Sequence, residues 1–141
     1  MRIHREIPVR RPAREVFEFM RDFTTTEQWD PGTVSTDRIS GDGGVGTRYL
    51  NVSRFLGRET ELVYELIAEQ PGSELLLRGT NDTVVAEDRI SVRPVDDSSS
   101  VVTYDARFSF SGIVRLVVPL AAPAFKRLGD RAATRLAEVL S

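Results

Sequence analysis

Asp88, Tyr64 and Tyr104 are the residues of this sequence best suited to chemistry in an apolar interior. Asp88 alternates with Ala86, Ile90 and Val92, Tyr64 with Leu62 and Leu66, and Tyr104 with Val102, Ala106, Phe108 and Phe110. Such alternation puts each polar residue on the apolar face of a strand. A carboxylate held there is desolvated, which raises its pKa and suits it to give or take a proton. Pairing with an arginine is the structural alternative. A buried phenol needs a hydrogen-bond partner, either a protein group or a ligand oxygen. No cysteine is present, which removes disulfides, thiolate metal sites and cysteine nucleophiles. His4, the single histidine, alternates away from Ile3 and Ile7 towards the surface. A zinc or iron site would need carboxylates almost alone, so neither a metal nor another cofactor is expected. Arg48, Asn51 and Arg78 lie in "TRYLNV" and "LLLRG", whose facing these short stretches leave open. An inward arginine would fork-bind a carboxylate or polarise a carbonyl, whereas a solvated outer face is its usual place.

One motif points elsewhere. "ISGDGGVGTRY" contains a G-x-G-x-x-G in Gly41, Gly43 and Gly46. A dinucleotide fingerprint needs a strand before the glycines and a helix directly after them, whose N-terminal amides receive the pyrophosphate. Here "TRYLNVSRFL" follows, rich in strand formers and without a helical stripe. The glycines are therefore expected to turn the chain between two antiparallel strands.

The elements that position these residues follow from periodicity. "RIHREIPVR" alternates as a first strand with Ile3, Ile7 and Val9 on one face. Pro12 is placed to open a helix at its first position, and Val16, Phe17, Met20 and Phe23 form its apolar stripe. Thr24 and Glu27 fit a capping box for a second short helix carrying Trp29, stopped by Pro31-Gly32. Asp30 reads as a turn or cap residue. Six strands then follow between Thr33 and Phe110, separated by the glycine stretch, Gly57-Arg58, Pro71-Gly72, Thr80-Asn81-Asp82 and the "DDSSS" turn. Short turns between successive strands imply an antiparallel meander. After Ser111-Gly112, a terminal helix carries Phe125, Leu128, Ala132, Leu136 and Val139/Leu140 as its stripe, with Pro119 and Pro123 offsetting its first half.

Composition fits one globular domain over residues 1–141. A net charge of −2 argues against nucleic acid as a partner. "MRIHREIPVRR" has no apolar h-region, and the longest apolar run, Ile113–Phe125, is too short to span a bilayer. A cytoplasmic protein without stable membrane insertion is expected.

In this order and spacing, "IPVRRPAREVFEFMRDFTTTEQWDP", "GVGTRY", "FLGRETELVYEL", "VTYDARFSFSG" and "FKRLGDRAATRLAEVL" resemble the helix-grip fold of the START-related (SRPBCC) superfamily, in particular its polyketide cyclase/dehydrase and lipid-transport-like group. The resemblance covers nearly the whole chain. It implies an α+β fold: a curved antiparallel sheet of about seven strands wrapped around a long C-terminal helix, with two short helices after strand 1. Between sheet and helix it implies an apolar cavity, and such pockets commonly measure about 300–1,000 Å³. The expected wall is Trp29, Tyr49, Leu62, Tyr64, Leu66, Asp88, Ile90, Tyr104, Phe108, Phe110 and Phe125, with Trp29 near the mouth. In aromatase/cyclases of the family, the strand that looks like "LVYEL" carries a pocket-facing serine and arginine. Tyr64 and Leu66 stand at the matching positions, which counts against cyclase chemistry.

Three functions follow as expectations. Burial of about 25 cal/mol per Å² lets an apolar pocket hold a lipid-like or polyketide-like molecule with one or two polar anchors, which makes a carrier or sensor the first reading. Cofactor-free cyclisation or dehydration of a poly-β-keto chain is the second, with Asp88, Tyr64 and Tyr104 as candidate catalytic groups. The third is a protein–protein module or homodimer formed through Ile113–Phe125, apolar nearly all round.

Overall fold

The structure is a computed structural model and describes residues 1–141. Strand β1 (Arg2–Val9) leads into helix α1 (Ala13–Arg21), a 3₁₀ turn (Phe23–Thr25) and short helix α2 (Thr26–Trp29). Strands β2 (Thr33–Ser40), β3 (Arg48–Phe55), β4 (Arg58–Gln70), β5 (Glu74–Thr80), β6 (Val84–Asp96) and β7 (Ser99–Phe110) form the meander. Helix α3 (Val114–Val117), a 3₁₀ turn (Val118–Ala121) and the long α4 (Ala122–Val139) complete the chain. The seven strands make one antiparallel sheet in the order β1-β7-β6-β5-β4-β3-β2, so the first strand closes against the last. This is the helix-grip architecture the resemblance implies.

Local sequence accounts for most boundaries. Pro12 sits one place before the expected position, at the N-cap of α1, where its carbonyl accepts from Val16 N at 3.1 Å. Val16, Phe17 and Met20 are buried, and Phe23 continues the stripe from the 3₁₀ turn. The Thr24/Glu27 capping box does not form. Asp22 caps the 3₁₀ turn instead, accepting from Thr24 N at 3.1 Å, and Glu27 accepts from Thr36 N on β2 at 2.8 Å. An intervening 3₁₀ turn shifts the geometry that the capping box needs.

The β3–β4 hairpin turns at Leu56-Gly57, one residue earlier than expected, with φ of 52° and 78°. Two residues at positive φ match the right-handed twist of the flanking strands. Gly57 accepts this conformation readily; Leu56 is held in it by the pairing of Phe55 with Arg58. The glycine stretch joins β2 to β3 as a turn, and no helix follows it. Gly41 packs directly on Thr47, so an added Cβ would sit 2.6 Å from its Cα.

The sheet's concave face and α1, α2 and α4 enclose one core, including Ile7, Val16, Phe17, Leu75, Leu77, Val102 and Leu136. Gly129 of α4 lets the helix approach β1: a Cβ there would meet Ile3 Cγ2 at 2.8 Å. Arg5 of β1 bonds the same helix turn, donating from Nε to Asp130 at 3.0 Å and from Nη2 to the Lys126 carbonyl at 3.2 Å. Pro119 and Pro123 offset α3 from α4 as expected. The α3 segment is not packed away: Ile113, Leu116 and Leu120 are about 77%, 76% and 83% exposed. No helix is long and apolar enough to cross a membrane.

Candidate functional site

Between the sheet and α4, beyond the end packed by α1, lies a cavity of about 190 Å³. Strand β7 supplies Tyr104, Phe108 and Phe110; β4 supplies Thr60, Leu62 and Tyr64; β6 supplies Val84 and Asp88. Trp29 and Asp30 enter from the end of α2, Phe23 from the 3₁₀ turn, and Phe125, Leu128 and Ala132 from α4. The side chains that reach it from the strands do so because period-two alternation aims them at the concave face.

The cavity is smaller than expected because its own rings fill it. Phe55 and Phe108 pack on Phe125 with centroids 4.5 Å and 5.7 Å away. Trp29 meets Tyr104 edge-on at 5.6 Å, and Phe23 lies 4.7 Å from Tyr64. Trp29 is itself anchored by Nε1, which donates to Thr25 Oγ1 at 3.3 Å. The Tyr64 ring occupies the place a side chain at Gly79 of β5 would take, since a Cβ there would lie 2.6 Å from its Cζ.

The polar centre of this wall is Asp88. It is 2% exposed, and its Oδ2 accepts from the Tyr104 hydroxyl at 2.9 Å. Oδ1 is buried and has no hydrogen-bond partner. Burial pushes the Asp88 carboxyl up to about 7; the Tyr104 bond opposes that rise and the negative charge of Asp30 adds to it. Asp30 is half-buried and its carboxyl is raised by burial, while the Gly32 N–H, the Thr33 hydroxyl and the charge of Arg135 hold it back. Burial and the neighbouring carboxylates raise both Tyr64 and Tyr104 well above the ordinary phenol range. A carboxyl near neutrality beside two phenols can exchange a proton and hold a hydrogen bond in either direction.

Of the expected wall, the structure brings Trp29, Leu62, Tyr64, Asp88, Tyr104, Phe108, Phe110 and Phe125 to the cavity. Tyr49, Leu66 and Ile90 do not line it. They face the same side of the sheet but belong to the packed core, where the Tyr49 ring lies 5.8 Å from Phe23. Arg48 and Arg78 point outward, with Glu65 at 3.9 Å and Glu87 at 2.9 Å. Asn51 points inward, donating to Thr36 Oγ1 at 2.8 Å and to Thr33 Oγ1 at 3.1 Å. The parity of β3 carries this signal, since Asn51 stands two residues from inward Tyr49. Asp30 is an Asx-type turn residue as expected and also lines the cavity. Phe23, Phe55, Leu128 and the inward Asn51 are among the further lining residues. Phe23 and Leu128 belong to the apolar helical stripes, whose period marks them as inward without telling cavity from core. His4 lies outside, its Nδ1 3.4 Å from Asp105. No group of three or more His, Asp or Glu side chains is clustered to hold a metal ion.

The sequence matches, over residues 1–141, the family described as polyketide cyclase/dehydrase and lipid transport. The chain belongs to that family. Among solved structures, this family member is similar to a START superfamily protein from Mycobacterium smegmatis, at 16% identity over 99% of both chains with a TM-score of 0.76. A STAR-related lipid transfer protein from Xanthomonas axonopodis matches at 16% identity, 97% of this chain and 84% of that one, with a TM-score of 0.77. The Zhui aromatase/cyclase from Streptomyces sp. R1128 matches at 13% identity, 96% of this chain and 94% of that one, with a TM-score of 0.69. At these identities the likeness establishes the helix-grip fold. No curated protein matches the sequence.

Proposed function

We propose that the protein binds a small hydrophobic ligand in the cavity between its sheet and α4, as a carrier or sensor. The observation that carries this reading is a mainly apolar cavity in an otherwise packed interior, lined by rings and by the buried carboxyl of Asp88. Size narrows the ligand. An engineered apolar cavity of about 150 Å³ holds one benzene molecule, so about 190 Å³ suits a single ring with a short substituent. Membership of a family described by cyclase, dehydrase and lipid transport supports the same class of ligand.

Cyclase/dehydrase chemistry is the second reading, favoured by Asp88. A carboxyl titrating near 7 beside Tyr64 and Tyr104 could take a proton α to a ketone while a phenol bonds the developing enolate. The small volume and the absence of an inward arginine on β4 weigh against an extended poly-β-keto substrate. Self-association through α3 is a third reading, favoured by the exposed Ile113, Leu116 and Leu120.

Native mass spectrometry with a displacement screen of fatty acids and single-ring aromatics tests the first reading. Occupancy by one-ring ligands is expected, and a protein that takes up none would overturn it.

A further inference from the structure

We propose that the cavity selects a small organic cation, a protonated amine carried on a group the size of one ring, with its N–H directed at Asp88 Oδ1. This deepens the ligand-binding reading and rests on it. The first ground is the orphaned oxygen. Tyr104 satisfies Oδ2, and nothing in the protein satisfies Oδ1. A buried acceptor without a donor is costly, so a ligand that supplies the donor recovers that cost on binding.

The second ground is charge. Asp30 and Asp88 both line the cavity, and the basic side chain among its lining residues is Arg54, exposed at the rim with Glu59 at 3.5 Å. Arg135 acts on Asp30 from outside the wall. The interior therefore holds two acids with no cation between them. The third ground is the rings. Trp29, Tyr64, Tyr104 and Phe108 present π-systems to the same space, and aromatic faces attract an ammonium group. Acid and rings favour the same ligand charge.

The groups that bear on Asp88 are Tyr104 on β7, Tyr64 on β4 and Asp30 beyond α2. None of them donates a hydrogen bond to Oδ1. An ammonium ligand needs Asp88 ionised, whereas a ketone accepting from Asp88 needs it protonated. The two ligand classes consequently respond to pH in opposite directions.

Titration calorimetry on the full chain at pH 6 and pH 8, with benzylammonium, its neutral isostere ethylbenzene, and acetophenone, separates the cases. With Asp88 near 7, ionisation rises about tenfold between these pH values. Benzylammonium is expected to bind about tenfold more tightly at pH 8 than at pH 6, and ethylbenzene equally at both. Asp88→Asn should erase both the preference for benzylammonium over ethylbenzene and its pH dependence, with an unchanged circular dichroism spectrum showing that the variant is folded. Should ethylbenzene bind the native protein as well as benzylammonium at pH 8, or acetophenone bind best and weaken as pH rises, cation selection is wrong while the cavity reading stands. Failure of all three probes to bind removes both.

Discussion

The Tyr104 hydroxyl donates to Asp88 Oδ2 across 2.9 Å, on adjacent strands of one sheet, and leaves Oδ1 with no partner. The pair is set by register: Asp88 faces Ala106 and Ile90 faces Tyr104, so the phenol reaches diagonally along the inward face. The hydrogen bond favours the ionised form and burial favours the neutral one. Burial wins, which places the carboxyl near 7.

That balance makes stability fall with pH. Asp88 binds its proton more tightly in the folded chain than in the unfolded one, where the group titrates at about 3.9. The stabilisation is full below the unfolded value and is lost as pH rises through about 7. At about 1.4 kcal/mol per unit, the contribution lost between pH 4 and 8 is about 4 kcal/mol. Urea unfolding across this range should show native stability declining relative to Asp88→Asn, whose amide does not titrate. Parallel pH curves for the two proteins would refute the assignment.

Tyr104→Phe removes the donor that holds the Asp88 pKa down. The carboxyl should then titrate above about 7. Stability at neutral pH should drop by about 1–3 kcal/mol, the cost of leaving a buried acceptor unpaired. NMR titration of the Asp88 carboxyl carbon reads the first effect and urea unfolding the second. A midpoint that stays put or moves down contradicts the network.

The sequence made the sheet and the grip legible because both are periodic. Ala86, Asp88, Ile90 and Val92 alternate, as do Val102 through Phe110, and one inward face follows from each. The turns were less legible. Leu56 opens at positive φ a turn that the sequence places at Gly57-Arg58, and Asp22 takes the capping role expected of Thr24 and Glu27. The division of the inward face into cavity and core was not legible. Tyr49 and Tyr64 are cross-strand partners with the same parity and both pack near Phe23, yet only Tyr64 lines the cavity. That division depends on how helices and 3₁₀ turns pack over the sheet, which is a tertiary fact.

Gly79→Ala should disturb the site without touching its chemistry. The new Cβ would lie 2.6 Å from the Tyr64 Cζ, so the ring must lift away from β5 or the strands must part. Overpacking of this kind costs about 1–3 kcal/mol. Chemical denaturation should show that loss, and one-ring ligands should bind more weakly. A variant as stable as the native protein would mean the ring has room that the structure denies it.

Light scattering tests α3. If Ile113, Leu116 and Leu120 pair two copies, Leu116→Asp with Leu120→Asp should convert a concentration-dependent dimer to a monomer without loss of folding, because these side chains are exposed. A native protein that stays monomeric at high concentration removes the self-association reading.

Phe125 sets the size limit of the cavity. Its ring stands at the N-terminal turns of α4 against Phe55, Phe108 and Phe110, at 4.5, 5.7 and 6.2 Å, and so occupies space the sheet would otherwise leave open. Phe125→Ala removes the ring from a half-buried position, so the destabilisation should fall below the 3–5 kcal/mol typical of a fully buried phenylalanine, at about 2 kcal/mol. The vacated volume adjoins the existing cavity. Two-ring probes such as naphthalene derivatives, excluded from the native protein, should then bind in a dye-displacement assay while one-ring probes lose affinity through lost contacts. If the variant is folded and its size preference is unchanged, the ligand lies elsewhere, because no ligand seated between β7 and α4 could fail to register the loss of that ring.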